Sequence, residues 1–265
     1  MLSTTISPEI RSEILKRLRA AEAEHGVRIL LAIESGSRAW GFESPNSDYD
    51  ARFIYAHPQD WYLSVGLEEQ RDVIEYPITD DIDLNGWDLR KALRLFWKSN
   101  PAFVEWIQSP IVYIQSGNFA AQVRELLPSV YSRESGIYHY RNMAKTNFRA
   151  YLKDDVVPLK KYFYVLRPLL SVRWLERYNT PAPIEFHKLV HLIENDAPLV
   201  ADIEALLARK RLAPELGLEP QVPSIHAFIE RELARLEIIN PSKQERDEVL
   251  PKLNQVFRAV LRESS

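Results

Sequence analysis

The chain has 265 residues, of which 46% are hydrophobic and 27% charged, and its net charge is −3. The absence of cysteine excludes disulfides, thiolate zinc sites and cysteine nucleophiles, and the small negative charge argues against a basic nucleic-acid-binding module. The sequence contains no apolar run long enough for a secretory signal or a membrane helix, so we expect a soluble, cytoplasmic protein with no membrane partner.

The first half of the chain alternates between helical and strand patterns. Ser7-Pro8 is typical of a helix start, and apolar spacing predicts a helix over 8–25 that ends at Gly26. Further along, the pattern predicts strands at 27–33, 49–55, 70–76 and 81–84, with turn-forming residues at 36–37 and 41–48. Helices follow at 87–99 and 102–108.

The second half is almost entirely helical in its periodicity. Helices are predicted at roughly 118–127, 133–153, 160–178, 185–194, 201–211, 224–239 and 243–263. The last begins with a capping box, Ser242 and Glu245. The sequence therefore predicts an α+β domain over 1–116, followed by an all-helical domain over 117–265.

A pair of acids at the start of the second strand carries the clearest chemical signal. Asp48 and Asp50 are two residues apart, so a strand presents both on one face. Two adjacent carboxylates repel unless a cation joins them, and hard oxygen ligands suit Mg²⁺ or Mn²⁺. The spacing therefore predicts a metal site.

A third acid on another strand completes the predicted site. Asp83 lies between the apolar residues Ile82 and Leu84. If these two face the core, the Asp83 side chain points to the opposite side of the strand. Asp81 is the alternative third ligand. Three carboxylates can hold two metals about 3.5–4 Å apart, which is the arrangement that catalyses phosphoryl displacement.

A Gly-Ser turn lies about ten residues before the pair Asp48 and Asp50. Gly36 allows close approach of the backbone, and Ser37 with nearby amides can hold phosphate oxygens at a helix start. Arg38 adds a cation beside them. We therefore predict that Asp48, Asp50 and Asp83 bind metal and that the turn binds the leaving pyrophosphate.

The whole stretch, Gly-Ser-Arg-Ala-Trp-Gly-Phe-Glu-Ser-Pro-Asn-Ser-Asp-Tyr-Asp over 36–50, resembles the signature of the RNA repair pathway DNA polymerase β family (RlaP type). The similarity continues through 84–91, 100–106, 138–143 and 160–170. It implies a polymerase-β-like nucleotidyltransferase domain with a mixed sheet, followed by a helical domain that closes the nucleotide cleft. It also implies metal binding by Asp48, Asp50 and Asp83 and phosphate contact by Gly36 and Ser37, and we count Ser47 of the same motif among the nucleotide-binding candidates.

Cations and aromatics cluster in the helical half. Lys160, Tyr164 and Arg167 recur at spacings of four and three, so they share a helix face that would suit a triphosphate and a base. Arg141 and Lys145 form a second candidate pair. The alternative is that the lysines are solvated and Tyr164 packs in the core.

The functional prediction is transfer of an NMP from an NTP to an acceptor hydroxyl, with two Mg²⁺ or Mn²⁺ ions as cofactors. The resemblance suggests an RNA end as acceptor, in RNA repair. The alternatives are transfer to a protein or small molecule, and a nucleotide sensor without catalysis. The sequence leaves the acceptor, the preferred base and the oligomeric state open.

Overall fold

The computed structural model describes residues 6–212, 217–238 and 247–263. They divide into two compact units. One, the sheet unit, is built from residues 6–39, 48–131 and 247–263, and the other, the helical unit, from residues 40–47, 132–212 and 217–238. Among these residues, no helix is both long enough and apolar enough to cross a bilayer.

A five-stranded mixed sheet organises the sheet unit. The strands are β1 (Arg28–Glu34), β2 (Tyr49–Ala56), β3 (Val73–Glu75), β4 (Ile82–Asp88) and β5 (Val112–Gln115). Their order is β3-β4-β2-β1-β5. β2 and β4 pair in parallel, whereas the other neighbours are antiparallel. The predicted α+β class with a mixed sheet is therefore confirmed.

Helices cover both faces of this sheet. They are α1 (Pro8–His25), the short α2 (Gly36–Trp40) and α3 (Gln59–Tyr62), then α4 (Leu89–Trp97), α5 (Pro101–Gln108), α6 (Phe119–Val130) and α12 (Leu250–Arg262). α1 begins and ends as its sequence predicts, because the Ser7 side chain accepts from the Ile10 N–H and Gly26 adopts a φ of 61°. One apolar core lies between the sheet and α1, and the other joins the sheet to α4, α5, α6 and α12.

Five helices form most of the helical unit: α7 (Arg133–Tyr151), α8 (Lys161–Tyr178), α9 (Phe186–Val190), α10 (Ala197–Leu212) and α11 (Pro223–Glu237). A small antiparallel ribbon, β6 (Val156–Pro158) with β7 (Leu218–Pro220), accompanies them. The segment 40–47 belongs here because the ring of Phe42 stacks on Phe163 at 5.2 Å. The Lys210 ammonium also donates to the Phe42 carbonyl.

The division differs from the one that the sequence predicts. We expected domains over 1–116 and 117–265, but α6 and α12 both contribute buried residues to the core of the sheet unit. Helical periodicity identifies an apolar face without saying which core it covers, and this is the physical reason for the difference. The predicted capping box, Ser242 with Glu245, lies outside the described residues.

Candidate active site

The loop that follows β1 is fitted closely around one carboxylate. Gly36 opens α2 with a φ of +59°, and a Cβ placed on it would lie 1.8 Å from Asp50 Oδ2. The Ser35 N–H donates to the Asp50 carbonyl at 2.9 Å. Glycine is required here for its positive φ and for the close approach of its backbone to the acid.

Asp50 and Asp83 lie side by side on the parallel strands β2 and β4. They are register partners, and their side chains are 27% and 20% exposed. Arg52 donates through Nη2 to Asp50 Oδ1 at 2.9 Å and to Asp83 Oδ2 at 2.6 Å. Because one guanidinium reaches both carboxylates, they lie on the same side of the sheet, as strand alternation predicts.

Asp48 precedes β2 and is exposed. Arg38 donates through Nε to the Asp48 carbonyl at 3.2 Å, and its guanidinium lies 3.9 Å from the centre of the Tyr49 ring. The negative charge of the Asp48 side chain is close enough to affect the pKa of Asp50. Burial raises the pKa of Asp50, the positive charge of Arg52 opposes this, and the negative charges of Asp83 and Asp48 add to it.

Among the described residues, no group of three acids or histidines is arranged to hold a metal ion. Arg52 occupies one oxygen of each facing carboxylate, and Asn85 Nδ2 donates to Asp83 Oδ1 at 2.8 Å. The sequence reading of Asp48, Asp50 and Asp83 as metal ligands therefore stays a prediction.

The sequence analysis missed Glu34, the last residue of β1, which is fully buried beneath the site. Its Oε1 accepts from the Asp50 N–H at 3.0 Å, and its Oε2 accepts from the Tyr113 hydroxyl at 2.6 Å. Burial raises the pKa of Glu34 to about 7, although both donors favour the ionised form. Its signal in the sequence is an acid at the end of an apolar strand.

The two candidate serines of the motif have different surroundings in this structure. Ser37 is buried, with 6% of its surface exposed. In the helical unit the Ser47 hydroxyl accepts from the Ser44 N–H at 2.9 Å and closes a turn. Phosphate contact by either hydroxyl stays a prediction.

The candidate cations of the helical unit are partly engaged in packing. Arg167 is 3% exposed, donates through Nε to the Ile184 carbonyl at 3.1 Å and lies 4.4 Å from the centre of the Trp40 ring. Tyr164 contacts the rings of Trp40 and Phe42. Tyr164 is half-buried, and nucleotide contact by Tyr164 or Arg167 stays a prediction.

The two candidate lysines of this unit are both half-buried. Lys145 of α7 forms an ion pair with Glu237 of α11 at 3.0 Å. Lys160 is half-buried at the residue before α8. Phosphate contact by Lys145 or Lys160 stays a prediction.

The mixed sheet carries a Gly-Ser turn after β1 and paired acids on β2 and β4, an α+β arrangement of the kind that the resemblance to nucleotidyltransferases predicts. The chain belongs to the RNA repair pathway DNA polymerase beta family (RlaP), whose model matches residues 10–259. The resemblance drawn from residues 36–50 is thereby confirmed.

Two further comparisons describe what the chain is similar to. It is 44% identical over 255 residues to a Bacillus subtilis (strain 168) protein named "Uncharacterized protein YcgL", covering 96% of this chain and 97% of that protein. It also matches the crystal structure of a nucleotidyltransferase-like protein from Exiguobacterium sibiricum 255-15 at 11% identity, over 94% of this chain and 80% of that one. The TM-score of that match is 0.29, and a likeness at this level supports no conclusion about the chain.

Proposed function

We propose that the sheet unit transfers an NMP from an NTP to an acceptor hydroxyl. The observation that carries this proposal is the in-register pairing of Asp50 and Asp83 beside Gly36, in a chain that belongs to a nucleotidyltransferase family. Two acids that share a face, with a glycine turn against one of them, are suited to a reaction on phosphate esters.

The donor set fits Mg²⁺ or Mn²⁺. Carboxylate oxygens are the ligands that these cations prefer, and the mutual repulsion that contributes to the raised pKa of Asp50 is relieved by positive charge. Asp50 and Asp83 would hold the metal, with Asp48 contributing from the residue before β2. When bound, the ions neutralise phosphate charge and lower the pKa of the acceptor hydroxyl.

The chain's own groups orient the nucleotide and accept a proton. The acceptor oxygen forms a bond to the α-phosphorus, the bond from that phosphorus to the bridging oxygen breaks, and pyrophosphate leaves. Asp83 receives the proton of the acceptor hydroxyl. The N–H groups of residues 36–37 and the Arg38 guanidinium contact the leaving phosphates.

RNA is the acceptor that we propose first, because the description of the family refers to an RNA repair pathway. The net charge of −3 lends no independent support. Affinity for RNA that falls steeply as salt increases would favour this acceptor, since phosphate contacts release counterions. Transfer of the label from the NTP to a protein or to a small molecule would identify another acceptor instead.

The test is incubation with labelled NTPs, Mg²⁺ or Mn²⁺ and each class of acceptor, using a matched pair of variants. Asp83→Asn removes one proposed ligand, so we expect transfer to fall by roughly 100-fold or more. Asp81→Asn is the control, because Asp81 is exposed and Asn tolerates its φ of 60°. It should leave transfer within about twofold and so decide against Asp81 as third ligand.

Undiminished transfer by Asp83→Asn would remove the proposed assignment. NTP binding without turnover, across all acceptor classes, would instead identify a sensor.

A further inference from the structure

Arg52 is hydrogen-bonded to both strands of the candidate site, to Asp50 on β2 and to Asp83 on β4. It follows Asp50 by two residues on β2, so its side chain leaves the same face. Besides its bonds to the two carboxylates, Nη1 donates to the carbonyls of Asp83 at 2.8 Å and Ala51 at 3.2 Å. Its side chain is 16% exposed. These hydrogen bonds position the guanidinium between the two carboxylates more closely than a surface ion pair would.

The oxygens that Arg52 occupies are the ones that face each other across the two strands. Asp83 Oδ1 already accepts from Asn85, and Asp50 Oδ2 lies against Gly36. A cation that bridges Asp50 Oδ1 and Asp83 Oδ2 would take the position that Arg52 Nη2 occupies. A guanidinium has no lone pair to offer a metal and repels it electrostatically, so the two cations compete for this position.

We propose that Arg52 is a built-in counter-cation that holds Asp50 and Asp83 together before metal binds and leaves them when it does. This inference rests on the proposed function, because it takes the two acids as ligands. The released guanidinium lies beside the site, where its planar donors suit the phosphate oxygens of a nucleotide. Metal alone therefore binds weakly, and metal and nucleotide strengthen each other's binding.

The test measures Mn²⁺ affinity without nucleotide, by the loss of the electron paramagnetic resonance signal of free Mn²⁺. Arg52→Gln removes the competing charge, so we expect this variant to bind Mn²⁺ about tenfold more tightly than the unmodified protein does. Arg52→Lys keeps the charge and loses the planar donors, so its affinity should lie between the two. Arg71→Gln is the control, since Arg71 pairs with Glu75 at the surface and its side chain is 67% exposed. It should leave affinity unchanged.

Equal or weaker Mn²⁺ binding by Arg52→Gln would overturn the inference. If Arg52→Gln does not fold, the Arg52→Lys variant tests the inference instead. A Mn²⁺ affinity of Arg52→Lys that is no higher than that of the unmodified protein would also overturn it. Failure of the proposed function gives a different result: Asp83→Asn would then leave Mn²⁺ affinity as it is. In that case the site takes no metal and Arg52 has none to compete with.

Discussion

At the scale of single residues, Gly36 is the position where the backbone and the site constrain each other most. Its φ of +59° disfavours any side chain, and its Cα faces the Asp50 carboxylate. Gly26 has nearly the same φ, 61°, but open space around it. The two glycines therefore separate the conformational cost of a side chain from its steric cost.

We predict that Gly36→Ala destabilises the protein more than Gly26→Ala. Gly26→Ala should cost about 1 kcal/mol of unfolding free energy, from backbone strain alone. Gly36→Ala adds a clash with Asp50, which should cost about 1–3 kcal/mol more. Denaturant unfolding of both variants measures the difference. Equal losses would mean that Asp50 moves aside freely.

The sequence was enough to predict the acids of the site, but not their partners. Alternation along a strand determines the side on which a residue lies, so Asp50 and Asp83 could be predicted to share a face. The partner of a charged residue depends on the register of another strand. Glu34 is satisfied by Tyr113, 79 residues away, and Arg52 by Asp83 on β4. No local pattern contains that information.

At the scale of elements, tertiary pairing moved several boundaries from where local patterns put them. The sequence predicts a helix over 87–99, but β4 continues to Asp88 because its last residues pair with β2 and β3. Asp88 then caps α4 through its bond from the Arg90 N–H at 2.7 Å. Sheet pairing outweighed helical periodicity at this junction.

The connection after β2 contains a pH-sensitive stack. His57 lies 3.9 Å from Trp61 of α3, ring centre to ring centre, with nearly parallel rings. Burial, with a smaller contribution from His25, lowers the pKa of His57 to about 4. The unfolded chain binds a proton at this residue below about pH 6.5, whereas the folded chain does so only near pH 4. Stability is therefore lost as the pH falls through that window.

We predict that His57→Phe weakens the pH dependence of stability between pH 6.5 and 4. Phenylalanine keeps the stack on Trp61 and removes the proton that favours unfolding. Unfolding free energies at pH 7 and pH 4.5 give the comparison, with His187→Phe as a control for losing an exposed histidine. An unchanged difference between the two pH values in His57→Phe would contradict the role of this histidine.

At the scale of the whole molecule, the sheet unit is built from segments that are far apart in the chain. α12 lies more than a hundred residues after α6, yet both line the core beneath α4. The number and type of most helices followed from periodicity, because an amphipathic face is a local property. The assignment of each helix to a unit did not, because it depends on which distant surface that face covers.

We predict that Leu253→Ala in α12 destabilises the sheet unit by about 2–5 kcal/mol, as expected for a large side chain lost from a packed core. Leu253 is 2% exposed. Its neighbour Lys252 is exposed, so Lys252→Ala should change stability by less than about 0.5 kcal/mol. Thermal and denaturant unfolding followed by tryptophan fluorescence test this. Similar small losses in both variants would show that α12 is dispensable to the core.

The return of α12 also sets an order for assembly on the ribosome. Arg28, the first residue of β1, donates to the carbonyl of Val260, so the first strand of the sheet is bound to a helix that lies 232 residues further along the chain. Domains generally fold as units as they emerge. The five helices from α7 to α11 have all left the exit tunnel before α12 does, so the sheet that begins first matures last. Until then the apolar side chains that α12 covers remain without this part of their core.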